Sequence, residues 1–125
     1  MQKWLMLLTG GVCGTAGRYL LANAVYGRLG TAFPYGTLAV NALGCIVIGF
    51  LGTLADKKMA LSSDARLFWM VGLLGAFTTF SSLIYESWKL INDGQWWFAG
   101  LNLAGSIFLG LFALWIGSLV AGLLP

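Results

Sequence analysis

The chain is dominated by four long runs of apolar residues that short polar segments separate. The runs cover about residues 4–26, 35–55, 67–91 and 96–124. Each is close to the ~20 residues that an α-helix needs to cross the hydrocarbon core of a bilayer. The polar connection at 56–66 is the longest, and residues 92–95 have the composition of a turn. The pattern predicts four transmembrane helices in a single domain over residues 1–125.

Composition favours a membrane protein over other classes. Of the 125 residues, 59% are hydrophobic and 9% are charged, and the mean hydropathy is +0.86. A soluble domain carries about 25% charged residues, so this chain could not cover a globule with a solvated surface. Because four spans use most of the length, we expect neither an appended catalytic domain nor a nucleic-acid-binding module.

Residue types that most enzymes use are scarce. The sequence has no histidine, which removes the commonest general base and metal ligand. Cys13 and Cys45 lie inside apolar spans, where a free thiol behaves as a small hydrophobic group. No acid–base pair suited to catalysis stands out, so we expect the chain not to be an enzyme.

Basic residues are nearly balanced between the two sides of the membrane. With four spans, one side carries Lys3, Lys57, Lys58 and Arg66, and the other carries Arg28 and Lys89. This difference favours a cytoplasmic N-terminus only weakly. A chain with so small a bias can insert both ways, which leaves dual topology open.

Glycines at helical spacing predict close packing of span 1. Gly10 and Gly14 form a GxxxG pair, and Gly17 extends the same face. Small residues let helix backbones approach one another. The partner helix can belong to the same subunit or to a second copy. Four short helices leave little room for a polar path, so self-association is expected in either case.

A run of hydroxyl residues interrupts the apolar pattern of span 3. Two glycines and four hydroxyl residues lie there: Gly72, Gly75, Thr78, Thr79, Ser81 and Ser82. Such residues weaken a helix because hydroxyls compete for backbone hydrogen bonds. One interpretation is a packed helix whose hydroxyls bond to the preceding turn. The other is a broken helix whose freed backbone groups bind ions near the membrane centre.

Further polar residues in the spans extend this run into a potential track. Asn41 follows Thr37 by four residues in span 2, and Ser106 follows Asn102 by four in span 4. Each pair therefore shares one helix face. A buried asparagine can equally tie helices together. Glu86, near the end of span 3, either reaches the membrane interface or marks the mouth of the track.

Arg18 lies well inside span 1. A charged side chain at this depth must pair with another group or reach a water-filled recess. The sequence favours a structural anchoring role for it. No carboxylate lies at the centre of any span, so the ring of acidic side chains found in some cation channels is not available.

Three segments resemble the Fluc/CrcB family of fluoride channels. GAFTTFSS at 75–82 is similar to the family signature GGLTTFST, and GTLAVN at 36–41 is similar to its GTLxVN segment. Gly10-Gly11, Gly14 and Arg18-Tyr19 resemble its GGxxGxxxRY start. The resemblance covers essentially the whole chain. It implies an all-α integral protein of the bacterial inner membrane, with a break in helix 3. It also implies an antiparallel, dual-topology dimer whose two pores let fluoride leave the cell.

The resemblance also implies roles for individual residues. Main-chain carbonyls of Gly75 and Thr78 would hold a structural Na⁺ at the dimer interface. Asn41 matches the family's pore asparagine, and Phe80 matches the first of its two pore phenylalanines, whereas Leu83 stands in place of the second. The implied fluoride path comprises Thr37, Asn41, Thr79, Phe80, Ser81, Ser82, Leu83, Glu86, Asn102 and Ser106. The dimer partner would be a second copy or an oppositely oriented paralogue.

The chemistry of these residues suits a small, tightly hydrated anion. A pore for such an ion must replace its water with several compact donors. The amide of Asn41 and the hydroxyls of Ser81 and Ser82 are donors of this kind, and the ring edge of Phe80 carries partial positive charge. Leu83 has no such edge, so we expect it to form an apolar part of the pore wall.

Two other functions fit a small four-span protein. A proton-coupled exporter similar to the small multidrug resistance transporters needs a carboxylate inside the first span, but the earliest acid here is Asp56, in a loop. A structural subunit would explain the glycine-rich faces but not the hydroxyl run. A fluoride channel is therefore the function that the sequence predicts.

Overall fold

The computed structural model describes residues 1–57 and 61–124, and all regular structure in these residues is helical. The elements are α1 (Gln2–Leu29), α2 (Tyr35–Lys57), α3 (Ser63–Arg66), a π-helical segment (Leu67–Leu74), α4 (Gly75–Phe77), α5 (Phe80–Asn92) and α6 (Trp96–Gly122). Lys58, which the topology count included, lies outside the described residues.

Four helical stretches are long and apolar enough to cross a membrane, as predicted. Three of them are α1, α2 and α6, and the remaining one runs through the successive segments of Ser63–Asn92. α1 extends beyond the predicted run and ends at Leu29, and the capping residue Gly30 has a φ of 77°, which an L side chain rarely adopts. α6 ends at Gly122, two residues before the predicted end of span 4.

Three glycines of α1, Gly10, Gly14 and Gly17, pack against the π-helical segment and α4 of the same subunit. A Cβ added to Gly10 would lie 2.7 Å from the carbonyl oxygen of Phe68, and one added to Gly14 would overlap the carbonyl of Leu73. One added to Gly17 would lie 3.5 Å from the ring of Phe77. The GxxxG pair therefore brings two backbones of one subunit together, which answers the question that the sequence left open.

Glycines also bring α2 and α6 into close contact. A Cβ on Gly49 would overlap the carbonyl of Leu114, and one on Gly117 would overlap the carbonyl of Ile46. Nearby, the hydroxyl of Thr53 contacts that of Ser118 at 2.8 Å. These contacts fix α2 and α6 against each other. α2 is thereby held in place to present its polar residues to the rest of the bundle.

Replacement of Gly49 by alanine should lower the free energy of unfolding by about 1–2 kcal/mol, because the added methyl group forces the two backbones apart. Equilibrium unfolding in mixed detergent micelles measures the effect. Gly52→Ala is the matched control on the same helix, since a Cβ there meets nothing within 4 Å. Equal stability of the two variants would show that the α2–α6 crossing is not close-packed.

Candidate functional site

The backbone leaves the helical conformation at Thr78 and Thr79, between α4 and α5. Thr78 has φ −81° and ψ 160°, and Thr79 has φ −153° and ψ 115°. Both the N–H and the hydroxyl of Thr78 donate to the carbonyl of Leu74 at 3.0 Å. The hydroxyl of Thr79 accepts the N–H of Ser82 at 3.3 Å and so caps the start of α5.

Asn41 binds both backbone polar groups of Thr79. Its Oδ1 accepts the Thr79 N–H at 2.8 Å, and its Nδ2 donates to the Thr79 carbonyl at 3.0 Å. In a continuous α-helix that N–H would donate to the carbonyl of Gly75. The side chain of Asn41 therefore replaces the helical partner of Thr79 and stabilises the extended backbone. The amide has two N–H donors, of which Thr79 uses one.

As a consequence, the carbonyls of Gly75 and Thr78 have no donor among the residues that the structure describes. The N–H groups four residues later, those of Thr79 and Ser82, donate to side chains instead. Carbonyl oxygens are hard ligands of the kind that bind alkali and alkaline-earth cations. The described residues contain no group of three or more His, Cys, Asp or Glu that could hold a metal. The two free backbone oxygens are therefore candidate ligands for a cation at this position.

Glu86 connects three helices one turn beyond Ser82. Its Oε1 accepts hydrogen bonds from the hydroxyl of Thr37 at 2.6 Å and from that of Tyr26 at 3.4 Å. Its Oε2 is buried and has no partner within the described part of the chain. The carboxyl group therefore links α1, α2 and α5 through one oxygen and leaves the other available.

Two cavities flank the interruption. The first, which we call the inner cavity, has a volume of about 310 Å³, and its walls include Arg18, Thr37, Thr79, Ser82 and Glu86. The second, the interhelical cavity, has a volume of about 320 Å³, and its walls include Asn41, Gly75, Thr78, Thr79, Phe80 and Leu83. Most of the predicted path residues thus gather around the two threonines.

Arg18 contributes to the wall of the inner cavity. It forms no ion pair with any residue in the described ranges, although Glu86 lines the same cavity. The positive charge therefore remains available to the contents of the cavity. The anchoring role predicted from the sequence stays a prediction, and a positively charged residue in the cavity wall would attract an anion inside the cavity.

Phe80 and Leu83 differ sharply in exposure, although both line the interhelical cavity. The side chain of Phe80 is 74% exposed, whereas that of Leu83 is only 6% exposed. Ser81, which follows Phe80, is exposed, and its hydroxyl lies 3.3 Å from that of Thr79. Phe80 is thus directed away from the subunit, and Leu83 packs within it.

Asn102 and Ser106 lie apart from both cavities. Asn102 is fully buried and donates from Nδ2 to the hydroxyl of Ser87 at 2.9 Å, and Ser87 donates to the carbonyl of Leu83 at 2.8 Å. The Oδ1 of Asn102 and the hydroxyl of Ser106 are buried without partners among the described residues. The hydrogen bonds of Asn102 and Ser87 tie α6 to α5, and a place for Asn102 and Ser106 in the fluoride path stays a prediction.

Sequence reasoning missed Ser87 and Tyr26. A single serine or tyrosine near the end of an apolar span is common in membrane helices and carries no signal by itself. The roles of these two residues depend on partners in other helices, Asn102 and Glu86 respectively. Only the three-dimensional arrangement reveals them.

A family described as "CrcB-like protein, Camphor Resistance (CrcB)" matches residues 5–118. The chain belongs to the CrcB family. The resemblance predicted from the three sequence segments is thereby confirmed. Together with the four long helices, membership of the CrcB family identifies a multi-pass bacterial membrane protein.

Relatives of this CrcB-family chain carry the name fluoride-specific ion channel FluC. The protein from Thermus thermophilus is 47% identical over 124 residues, which cover 99% of this chain and 98% of the relative. That from Geobacter sulfurreducens is 43% identical over 121 residues, covering 97% and 98%. That from Opitutus terrae is 42% identical over 123 residues, covering 97% and 93%. These names describe channels rather than enzymes, in agreement with the sequence-based expectation.

Proposed function

We propose that this chain is a fluoride-specific ion channel, which lets fluoride leave the cell down its gradient and so lowers cytoplasmic fluoride. The observation that carries the proposal is the pair of hydrogen bonds between the Asn41 side chain and the backbone of Thr79. These bonds stabilise a non-helical backbone inside an apolar bundle, next to a cavity whose walls include hydroxyl residues and Arg18. The relatives named as fluoride channels match this chain over nearly its whole length.

The inner cavity supplies the groups that a dehydrated anion needs. The hydroxyls of Thr79 and Ser82 share one hydrogen bond at 3.0 Å, so one of the two retains a proton that it can donate to an anion in place of water. The hydroxyl of Thr37 donates to Glu86 and would have to exchange that partner to bind an anion. Arg18 adds a positive charge, which compensates part of the cost of bringing an anion into the membrane. A small anion gains most from such a site because compact donors approach it closely. The proposed path then passes the second N–H of Asn41 and the exposed ring of Phe80.

The functional unit that we propose is an antiparallel dimer formed by two oppositely inserted copies, or by one copy and a paralogue of opposite orientation. The exposed Phe80 lines the interhelical cavity together with Gly75 and Thr78, the residues that carry the two free carbonyls. A second copy related by a two-fold axis in the membrane plane would cover this surface. The near balance of basic residues is consistent with insertion in both directions.

Liposome flux tests the proposed function. Purified protein should discharge a fluoride gradient much faster than a chloride gradient when valinomycin and potassium compensate the charge. Equal leakage of both anions, or no flux of either, would overturn the assignment. Reporter proteins fused to the C-terminus should report both orientations in one membrane, and a single orientation would replace the homodimer by a pair of different chains.

A structural Na⁺ would be held by the main-chain oxygens of Gly75 and Thr78 from both subunits. The two carbonyls fit this ion because no described residue donates to them and because both residues line the interhelical cavity. The ion would join the two subunits at the interruption. Its removal would leave carbonyl dipoles facing one another without a counter-charge.

Replacement of all sodium by a large organic cation should therefore lower fluoride flux at least about tenfold, through loss of the bound ion. Restoration of millimolar sodium at constant osmolarity is the control, and it should recover the flux. Undiminished flux and unchanged dimer elution without sodium would contradict a structural role for the ion.

A further inference from the structure

A third cavity, which we call the mouth cavity, lies at the end of the bundle where α1 and α5 terminate. Its volume is about 350 Å³, and its walls include Thr31, Pro34, Lys89, Asp93 and Gln95. Charged and amide side chains at a helix end give it the character of a water-accessible vestibule. Tyr26 and Glu86 line both the mouth cavity and the inner cavity. These two side chains therefore form the boundary between the two spaces.

The ring of Tyr26 is held at this boundary from two directions. Its hydroxyl donates to Oε1 of Glu86 at 3.4 Å. Its ring lies directly on the backbone of Gly36, where an added Cβ would be 2.6 Å from Cζ and 2.9 Å from Cδ2. Any side chain larger than hydrogen at position 36 would displace the ring. The ring is thus held by packing on the backbone of Gly36, which we call its seat, and by the hydrogen bond to Glu86, which we call its tether.

We propose that Tyr26 is the partition that separates the mouth cavity from the inner cavity and sets the rate at which anions pass between them. The inference rests on the proposed function, because it places the partition in the fluoride path. The bulk of the ring blocks the passage, so removal of the ring should open it. The hydroxyl tether at 3.4 Å is long and contributes less than the ring itself.

The partition acts through the ring, so variants should separate its bulk from its hydrogen bond. Tyr26→Ala removes both, whereas Tyr26→Phe removes only the hydroxyl. Tyr85→Ala is the matched control, since Tyr85 lies on α5, is 69% exposed and lines neither of the two cavities that Tyr26 separates. Tyr85→Ala should leave both access to the inner cavity and fluoride flux unchanged.

Access to the inner cavity can be measured without ion flux. Ser82 lines the inner cavity but not the mouth cavity, so Ser82→Cys in a background with Cys13→Ala and Cys45→Ala provides a single reporter thiol. A negatively charged methanethiosulfonate reagent should modify this thiol about tenfold faster in Tyr26→Ala than in the unchanged Tyr26 background, because thiol reaction rates depend on access. Tyr26→Phe should retain most of the protection.

A double variant distinguishes displacement of the Tyr26 ring from a general loss of packing around Gly36. Gly36→Ala displaces the ring and should by itself raise the modification rate. In a Tyr26→Ala background no ring remains to be displaced, so Gly36→Ala should add nothing further. Additive effects of the two substitutions would overturn the proposed seat.

Flux in liposomes keeps this proposal separate from the assignment as a channel. In the native-cysteine protein, Tyr26→Ala should raise fluoride efflux several-fold, because the ring limits the rate of passage through the boundary. If the wild-type protein conducts fluoride but the reporter thiol reacts at the same rate in Tyr26→Ala as in Tyr26→Phe, the partition is refuted and the channel function stands. A wild-type protein that does not conduct would refute the channel function, and the access measurement would still decide whether Tyr26 divides the two cavities.

Discussion

Asn41→Asp should lower fluoride flux by about a thousandfold. A carboxylate at this position would place a fixed negative charge beside the path of the anion. At 4 Å and an effective dielectric constant near 20, the repulsion is about 4 kcal/mol, which corresponds to about three orders of magnitude in rate. The substitution also removes the Nδ2 donor to the Thr79 carbonyl, while the acceptor for the Thr79 N–H remains.

Flux of this variant in liposomes, with dimer elution as the test of folding, measures the effect. Asn92→Asp is the matched control, because it makes the same chemical change at an exposed position at the end of α5. A folded Asn41→Asp protein that conducts normally would restrict Asn41 to holding the backbone of Thr79, and the proposed path would have to lie elsewhere.

Arg18→Gln should lower fluoride flux by about thirtyfold. Arg18 lines the inner cavity and has no ion-pair partner among the described residues. For an anion that passes within about 8 Å at an effective dielectric constant near 20, loss of the attraction costs about 2 kcal/mol. Arg18→Lys retains the charge and should recover most of the flux.

The matched control is Arg28→Gln, which removes an exposed positive charge from the last turn of the same helix. If Arg18 instead serves only as an anchor, Arg18→Gln would lower dimer stability in detergent and leave the flux per folded dimer unchanged. Flux normalised to the folded fraction therefore distinguishes the two roles.

The number and approximate limits of the membrane helices could be predicted from the sequence, because the thickness of the bilayer sets the length of an apolar run. The packing partner of Gly10 and Gly14 could not. A GxxxG pair reports that a backbone approaches, but not which one. The π-helical geometry of Leu67–Leu74 could not be predicted either, since the hydropathy of a segment does not distinguish a π-helix from an α-helix.

The candidate site was predictable in its components but not in its connections. Asn41 and the hydroxyl run each stood out because polar groups in hydrocarbon are costly. That Asn41 binds the backbone of Thr79, 38 residues later, depends on how α2 lies beside α4 and α5. Asn102 is a second example. Its spacing to Ser106 predicted a shared polar face of one helix, but the spacing could not show that its amide contacts Ser87 between α5 and α6.

The π-helical segment has a consequence for how insertions and deletions act in this part of the chain. A π-helix has hydrogen bonds between residues five apart, so it accommodates more residues per turn than an α-helix does. Deletion of one residue within Leu67–Leu74 would let an ordinary α-helix form. Because the wide turn spreads one full rotation over an extra residue, the helix on either side of such a deletion would keep nearly the same orientation. If the segment were instead wound as an α-helix with all its residues, the residues beyond Leu74 would turn by about 100° relative to those before Leu67, and Thr79 would no longer face Asn41. The wide turn therefore takes up one residue while it keeps the rotation of the polar interruption relative to the first part of the span, so a single deletion should be tolerated here better than elsewhere in the third span.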